Sequence, residues 1–554
     1  MKLSNINRYI RTLAHLHPKQ VLFRLAYKSR ELYYLSWLYP LLEEDVDAPT
    51  KMMNTPPHLW QGNIAAAKQA SENTFTFVGR TISMGDNVRW YPKEGTALWT
   101  YNLHYFSWLG DLRTLGDDGR REAFRLTEDW LLNCDHFNKT SWHPYPLSLR
   151  IVNWLTHYEW MTAGAKTSFK EMLGQSLMRQ VSHLERNLEW DVGGNHLIKN
   201  LKALIYAGLC LPNTQSAYLE ARDLLLEQIS IQILPDGMHY ERSPHYHVDV
   251  LTDLLDIQAM IRKSGDIPPS ILEDAIDRMT GALEFMVYPD GGLGLFNDGC
   301  EGSKHHIENI LRKCGGGERP STELPDAGYI RLKRSNTFMM LDAGHVCPDT
   351  LPAHGHADTL SFELSVGNER IFVNQGTYAY QTKERNLFRA TAAHNTVCID
   401  GENSAEVWGA FRIGRRPKNV LYTLKREENV GIGVDASHDG YRHLGVHINR
   451  KIFMSQDGKD IRGEDTATAK KPHRMAVHFH LAPGISYKLI SHEEAEITTP
   501  QGQKLLFIVK GGRLHDAESV YAPQFGQKIP SKQLVLRGIW RHNSSQVNWG
   551  IKVQ

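Results

Sequence analysis

Cysteine is sparse and scattered: Cys134, Cys210, Cys300, Cys314, Cys347 and Cys398 form no CxxC pair, so they read as reduced, packed thiols and not as a metal ribbon or a disulfide frame. No block of one charge sign appears, and 63 basic residues stand against 62 acidic ones. Neither a nucleic-acid arm nor a polybasic patch is indicated, so no nucleic-acid partner is expected and any polyanion must be held by a local site. No run approaches the roughly 18 apolar residues of a spanning helix, so no transmembrane segment is expected. The stretch from Met1 to Arg11 carries charges where a secretory leader needs a continuous apolar core, which makes the cytoplasm the expected compartment and the periplasm the alternative. No repeat of fixed period marks an ordinary solenoid.

What is present is length, histidine and a change of period. At 554 residues the chain exceeds one core, and at roughly 100 to 200 residues per domain two large domains are expected. Residues 18–42 are basic and aromatic with Leu22, Leu25, Leu32, Leu35 and Leu38 at helical spacing, which gives an amphipathic helix, packed on the body or lying on a membrane surface. Residues 45–96 look irregular, with a short strand pair near Phe75 and Ile82. Segments near 98–110, 120–133, 146–162, 168–189, 196–209, 214–234, 244–264 and 269–287 then carry apolar residues three and four apart and read as helix pairs. Near Asp326 the period drops from about 3.6 to 2, and short alternating segments bounded by Gly, Asn and Asp continue to the end. The expected organisation is residues 1–96 as a helix and irregular segment packed on a helical domain, 97–314 as that domain, 315–327 as a Gly- and Pro-containing linker, and 328–554 as a β-sandwich.

Four clusters carry residue types suited to chemistry. Tyr145, Arg150, Asn153 and Trp154 follow a Pro-rich start, and the last three share a helix face, where a cation, an amide and an indole could grip an acidic sugar. Gly193-Gly194-Asn195-His196 opens an apolar helix whose N-terminus favours an anion, although Asn195 reads equally well as a simple cap. Glu241, Arg242, Tyr246 and His247 surround Ser243-Pro244, a helix start with proline at the first position. His354 and His356 stand one residue apart on a segment that becomes an alternating strand, so both would point to one side; Asn374 and His394 lie on two further strand ends. Arg389 flanks the last of these and could meet an anionic sugar.

Taken in order, the Asn195-His196 pair, the Glu241 to His247 piece, the His354 to Asp358 piece, the Val373 to Tyr378 piece and the Ala393 to Val397 piece resemble the heparinase II/III family of polysaccharide lyases. The resemblance implies an N-terminal α/α toroid followed by a C-terminal antiparallel β-sandwich, and a carbon–oxygen lyase that cuts a uronic-acid polysaccharide or oligosaccharide by β-elimination. Glycosaminoglycan, alginate and exopolysaccharide are all open as substrate, and a homodimer is compatible. It implies Asn195 and His196 as neutralisers of the uronate carboxylate, Tyr246 as base, acid or both, and His354 or His196 as its partner. Tyr145, Arg150, Asn153, Trp154, Glu241, Arg242, His247 and Arg389 are the expected substrate contacts. His356, Asn374 and His394 fall on the family's positions for a structural divalent metal, zinc or calcium; an amide at Asn374 is a weaker zinc ligand than a carboxylate, so hydrogen bonds in place of metal stay open. Two other functions also stay open: a non-catalytic sugar-binding or assembly factor in surface-polysaccharide production, and a metal-assisted glycan hydrolase.

Overall fold

The structure is a computed structural model that describes residues 3–36, 48–315, 322–541 and 543–554. Contacts group it into two units: one of residues 16–232 and 249–276, mainly helical, and one of residues 1–15, 233–248 and 277–554, which holds the large sheets. The expected linker lies in part, over 316–321, outside the described residues, as does the 37–42 end of the first amphipathic stretch. No helix of the described residues is long and apolar enough to cross a membrane.

In the helical unit, the helices Asp117–Cys134, Pro144–Met161, Thr167–Arg186, Gly194–Cys210 and Gln215–Gln232 pack on one another. Pro144–Met161 shows why they form. His143 caps it by accepting from Tyr145 N, proline sits where no N–H is needed, and Leu147, Ile151, Trp154, Leu155 and Tyr158 return every three or four residues as its buried face. Each such side chain contributes about 1.5 to 3 kcal/mol on burial, and Leu155→Ala would cost about 2 to 5 kcal/mol. The segment expected as one helix over 98–110 is two, Ala97–Tyr105 and Trp108–Leu112, because Phe106 adopts a left-handed conformation between them (φ 59°). The strand pair near Phe75 is a hairpin of Thr74–Phe77 and Arg80–Ser83.

In the sheet unit the described strands all pair antiparallel, with one parallel bridge outside them between Gly376 and Ala522. The largest sheet runs from Val420–Glu427 through Asp460–Thr468 and Ser544–Val553 to Ser486–Leu489. Smaller ones are built on Met475–His480 and on Phe362–Val366. Alternate residues of these sheets share one core, in which Phe362 stacks on Trp549 at 5.2 Å and Phe479 meets Phe507 at 4.9 Å. Among its described residues the same unit also holds helices that the period did not reveal, including these two. Leu3–Leu13 is tied by Arg11 to Glu406 at 2.6 Å, and Lys304–Cys314 is capped by Ser303.

A buried ion pair fixes the loops that matter below. Arg450 and Asp465 face each other on neighbouring strands (Nε to Oδ1 2.6 Å, Nη2 to Oδ2 3.0 Å). The remaining guanidinium nitrogen of Arg450 donates to the carbonyls of Leu360 (2.6 Å) and Asn395 (2.7 Å). The ends of the His354 and His394 loops are thereby pinned to the sheet.

Candidate active site

In the sheet unit the organising group is Asp298, which has no solvent exposure. Arg385 grips it with two nitrogens, each 2.5 Å from a different carboxylate oxygen. His354 Nδ1 lies 3.0 Å from Oδ2, His356 Nε2 lies 2.9 Å from Oδ1, and Thr377 Oγ1 donates to Oδ1 at 3.1 Å. Burial pushes this carboxyl up, but the Arg385 charge and the two histidine hydrogen bonds outweigh burial and hold it well below the usual carboxylate range. Asp298 is therefore an anion in the fold, and it assigns the Nδ1 proton to His354.

His354 and His356 do not share a strand face as expected. Residues 354–361 are turn and loop, the strand begins at Phe362, and Asp298 gathers both rings instead. His354 Nε2 lies 3.6 Å from Glu241 Oε2, so a carboxylate stands at each of its nitrogens. Its ring packs on that of Tyr246, with centroids 4.0 Å apart. Tyr246 is placed by the start of the helix Pro244–Ser264, where Ser243 Oγ accepts from Tyr246 N and donates to the Asp298 carbonyl. The Tyr246 hydroxyl meets that of Tyr380 at 2.5 Å. Burial, with the Asp298 charge adding to it, raises the Tyr380 phenol well above its ordinary value, so Tyr380 keeps its proton. The Arg385 guanidinium lies over the Tyr380 ring at 5.0 Å.

The supporting residues divide into those that could reach a ligand and those spent inside the fold. Glu241 is buried but faces His354, and Arg242, half-buried, donates to the His345 carbonyl at 2.7 Å. His247 was expected to contact substrate; it is fully buried, accepts from His239 N and reaches the Met279 carbonyl with its other nitrogen, and burial drops its pKa to about 4. Arg389, also expected at the substrate, is likewise fully buried. It donates to the Gly355 carbonyl through Nε (3.0 Å) and Nη2 (2.9 Å), so it holds the loop between the two histidines. Both are positioning residues.

Of the expected metal set, His356 Nδ1 meets His394 Nε2 at 3.1 Å, and His394 Nδ1 donates to the Ala390 carbonyl. Asn374 spends its amide oxygen on Asn395 N at 3.0 Å. Among the described residues no group of three or more His, Cys, Asp or Glu side chains is placed to hold a metal ion. Hydrogen bonds thus engage all three side chains, His356, Asn374 and His394, that were expected to hold a metal.

The helical unit places Asn195 and His196 at the start of Gly194–Cys210. Gly193 (φ 71°) and Gly194 (φ 58°) take left-handed conformations that let the chain turn into the helix. Gly193, not Asn195, is the cap. Glu189 holds His196 Nδ1 at 2.9 Å and is itself held by Asn200 Nδ2 at 3.0 Å. Burial raises Glu189, but His196, His143 and Asn200 together leave it below its ordinary value. The half-buried Tyr145 ring lies 4.2 Å from that of His196. Asn153 donates to the Tyr105 and Leu149 carbonyls, each at 2.9 Å, and lines a cavity of about 310 Å³ with Lys199 and His157.

Arg150 and Trp154 are corrections to the expected substrate set. Arg150 is fully buried between Trp130 (4.3 Å) and Trp154 (5.8 Å), donates to Gln180 Oε1 and the Ser141 carbonyl, and has its pKa lowered to about 9 by burial. Trp154 packs edge-on against Phe106 and Trp130, both at 5.2 Å. Helical spacing put them on one face, and that face is the core.

Asp298, Tyr380 and Arg385 escaped the sequence reading. Asn297-Asp298-Gly299 looks like a turn, which discounts its acid. The available signal was that this turn directly follows the apolar run Leu293 to Phe296, which predicts burial.

Two family models match the chain: Heparinase II/III N-terminus over residues 50–315, and Heparinase II/III-like, C-terminal over residues 316–550. Among curated relatives, FtsZ-localized protein C of Caulobacter vibrioides is 29% identical over 406 residues, 69% of this chain and 69% of that protein. A heparin-sulfate lyase of Bacteroides thetaiotaomicron is 22% identical over 439 residues, 67% of this chain and 61% of the lyase, so the match spans under two thirds of that enzyme's length. A crystal structure of heparinase III aligns with TM-score 0.74 at 17% identity, covering 96% of this chain and 89% of that one. This last likeness shows the fold, a helical toroid followed by an antiparallel β-sandwich.

Proposed function

Since the chain belongs to the heparinase II/III family, whose two models together span residues 50–550, we propose that it is a polysaccharide lyase that cleaves a uronic-acid-containing polysaccharide or oligosaccharide by β-elimination. The observation that carries this reading is the pairing of Tyr246 with His354, the first hydrogen-bonded to a phenol that keeps its proton and the second oriented by a buried carboxylate.

Elimination needs a base for the C5 proton, an acid for the departing O4, and neutralisation of the uronate carboxylate. The base removes the C5 proton, the C–H pair becomes the C4–C5 double bond, the C4–O4 bond breaks, and O4 leaves with a proton from the acid. Tyr246 suits one or both transfers. Its oxygen lies 2.5 Å from the Tyr380 hydroxyl, and a hydrogen bond donated from Tyr380 along that contact would stabilise the phenolate over the phenol. His354 suits the partner transfer, because on gaining a proton it presents an N–H to Asp298 and another to Glu241. In the helical unit, Asn195 and His196 offer donors at a helix N-terminus, and Glu189 orients the imidazole.

Mass analysis of products tests this directly. Fragments formed by elimination sum to the mass of the parent, whereas each hydrolytic cut adds one water. Products from a panel of acidic polysaccharides are expected to sum to the parent; an added water would overturn elimination in favour of hydrolysis. A second reading, a non-catalytic factor, is favoured by the relative named for its localisation to FtsZ. It requires intact substrate after incubation with every polymer of the panel.

A further inference from the structure

The helix Pro18–Tyr34 is bound to the helical unit by one face only. Gln20 donates to the Asp191 carbonyl, Phe23 stacks on Trp190 at 6.0 Å, and Tyr34 packs on Phe137 and His183 while its hydroxyl accepts from Asn187. The opposite face is apolar and faces solvent: Val21 is 43% exposed, Leu22 65%, Leu25 65%, Leu32 72% and Leu35, just past its end, 52%. Val21, Leu25, Leu32 and Leu35 follow one another by four, seven and three residues, so they form a single stripe. A soluble surface keeps such side chains apart, and a row of them marks a contact.

Charge says what the contact is with. Arg24 and Lys28 lie on one flank of the stripe and Lys19 on the other, Arg30 donates to the Arg186 carbonyl on the packed side, and with one acid, Glu31, the helix carries +4 − 1 = +3. Glu31 is turned inward and paired with Lys139 (2.7 Å) as well as Lys28 (2.8 Å), and Arg24 pairs loosely with Asp191 (3.5 Å). An apolar stripe edged by cations, on a helix of 17 residues, matches the face of an anionic bilayer, with leucines in the acyl boundary and ammonium and guanidinium groups among phosphates. The pattern is invisible as a charge block along the chain because the helix, not the sequence order, gathers it.

We propose that the exposed face of Pro18–Tyr34 binds an anionic phospholipid surface and holds the enzyme on it. The helix lies on the bilayer and does not span it.

The test is co-sedimentation of the full chain with vesicles of phosphatidylcholine alone and of phosphatidylcholine mixed with phosphatidylglycerol. The native chain is expected to bind the anionic vesicles at least about tenfold more tightly than the neutral ones. Leu25→Glu with Leu32→Glu should abolish sedimentation, and Lys19→Glu with Lys28→Gln should remove the preference for anionic lipid. All four positions are exposed, so circular dichroism and the thermal midpoint should stay as in the native chain. A native chain that stays in the supernatant with both vesicles, or a leucine variant that sediments like it, would overturn the proposal. So would a dimer in sedimentation velocity that the leucine variant dissociates without any vesicle binding, since the stripe would then belong to a second copy.

Discussion

At the scale of single residues the account rests on Tyr246, His354 and Asp298. Tyr246→Phe removes the oxygen to which the proposed elimination assigns proton transfer and keeps the ring that packs on His354. Its turnover should fall at least about 10²-fold with KM nearly unchanged, in steady-state kinetics on the best substrate. Asp298→Asn keeps the shape and removes the charge. His354 loses the acceptor that fixes its tautomer, and Arg385 becomes an unpaired buried cation, so turnover should drop about 10²-fold and stability by about 3 to 5 kcal/mol in denaturant titration. A stable Asp298→Asn with full turnover would remove this carboxylate from the account. The sequence made Tyr246 and His354 legible because each sits in a dense local cluster. Asp298 and Tyr380 were not, because their significance lies in partners 56 and 134 residues away, a separation no local pattern records.

At the scale of elements, the site is set by how loops and helix starts are held. Ser243 serves twice, as cap to Tyr246 N and as donor to the Asp298 carbonyl. Ser243→Ala should cost about 1 kcal/mol in thermal or chemical unfolding and lower turnover, with Ser243→Thr restoring part of both. Alternation and helical spacing gave the order of helices and strands because burial of one face imposes those periods. They failed where backbone conformation rules, as at Phe106, which splits one expected helix, and over 354–361, where Arg389 and Arg450 hold a loop in place of the expected strand. They also misassigned Arg150 and Trp154, since spacing tells which residues share a face and is silent on what that face meets.

At the scale of the whole molecule, burial leaves several histidines neutral, and this sets the response to acid. His104, His157 and His183 are each lowered to about 3 by burial. Above pH 6.5 folded and unfolded chains are alike at these rings, and they contribute no pH dependence. Below it the unfolded chain takes up protons that the folded chain refuses until about pH 3, so stability falls on acidification by roughly 1.4 kcal/mol per pH unit for each ring. The thermal midpoint should therefore drop steadily between about pH 6.5 and pH 5; a flat profile would mean that the rings are not held neutral. The central claim is elimination at a uronate, and its most direct measurement is the ultraviolet absorbance of the conjugated double bond during incubation with acidic polysaccharides, run beside Tyr246→Phe. The account predicts a rise on at least one polymer with the native chain and at least about a 10²-fold slower rise with the variant. New reducing ends without that absorbance would contradict it.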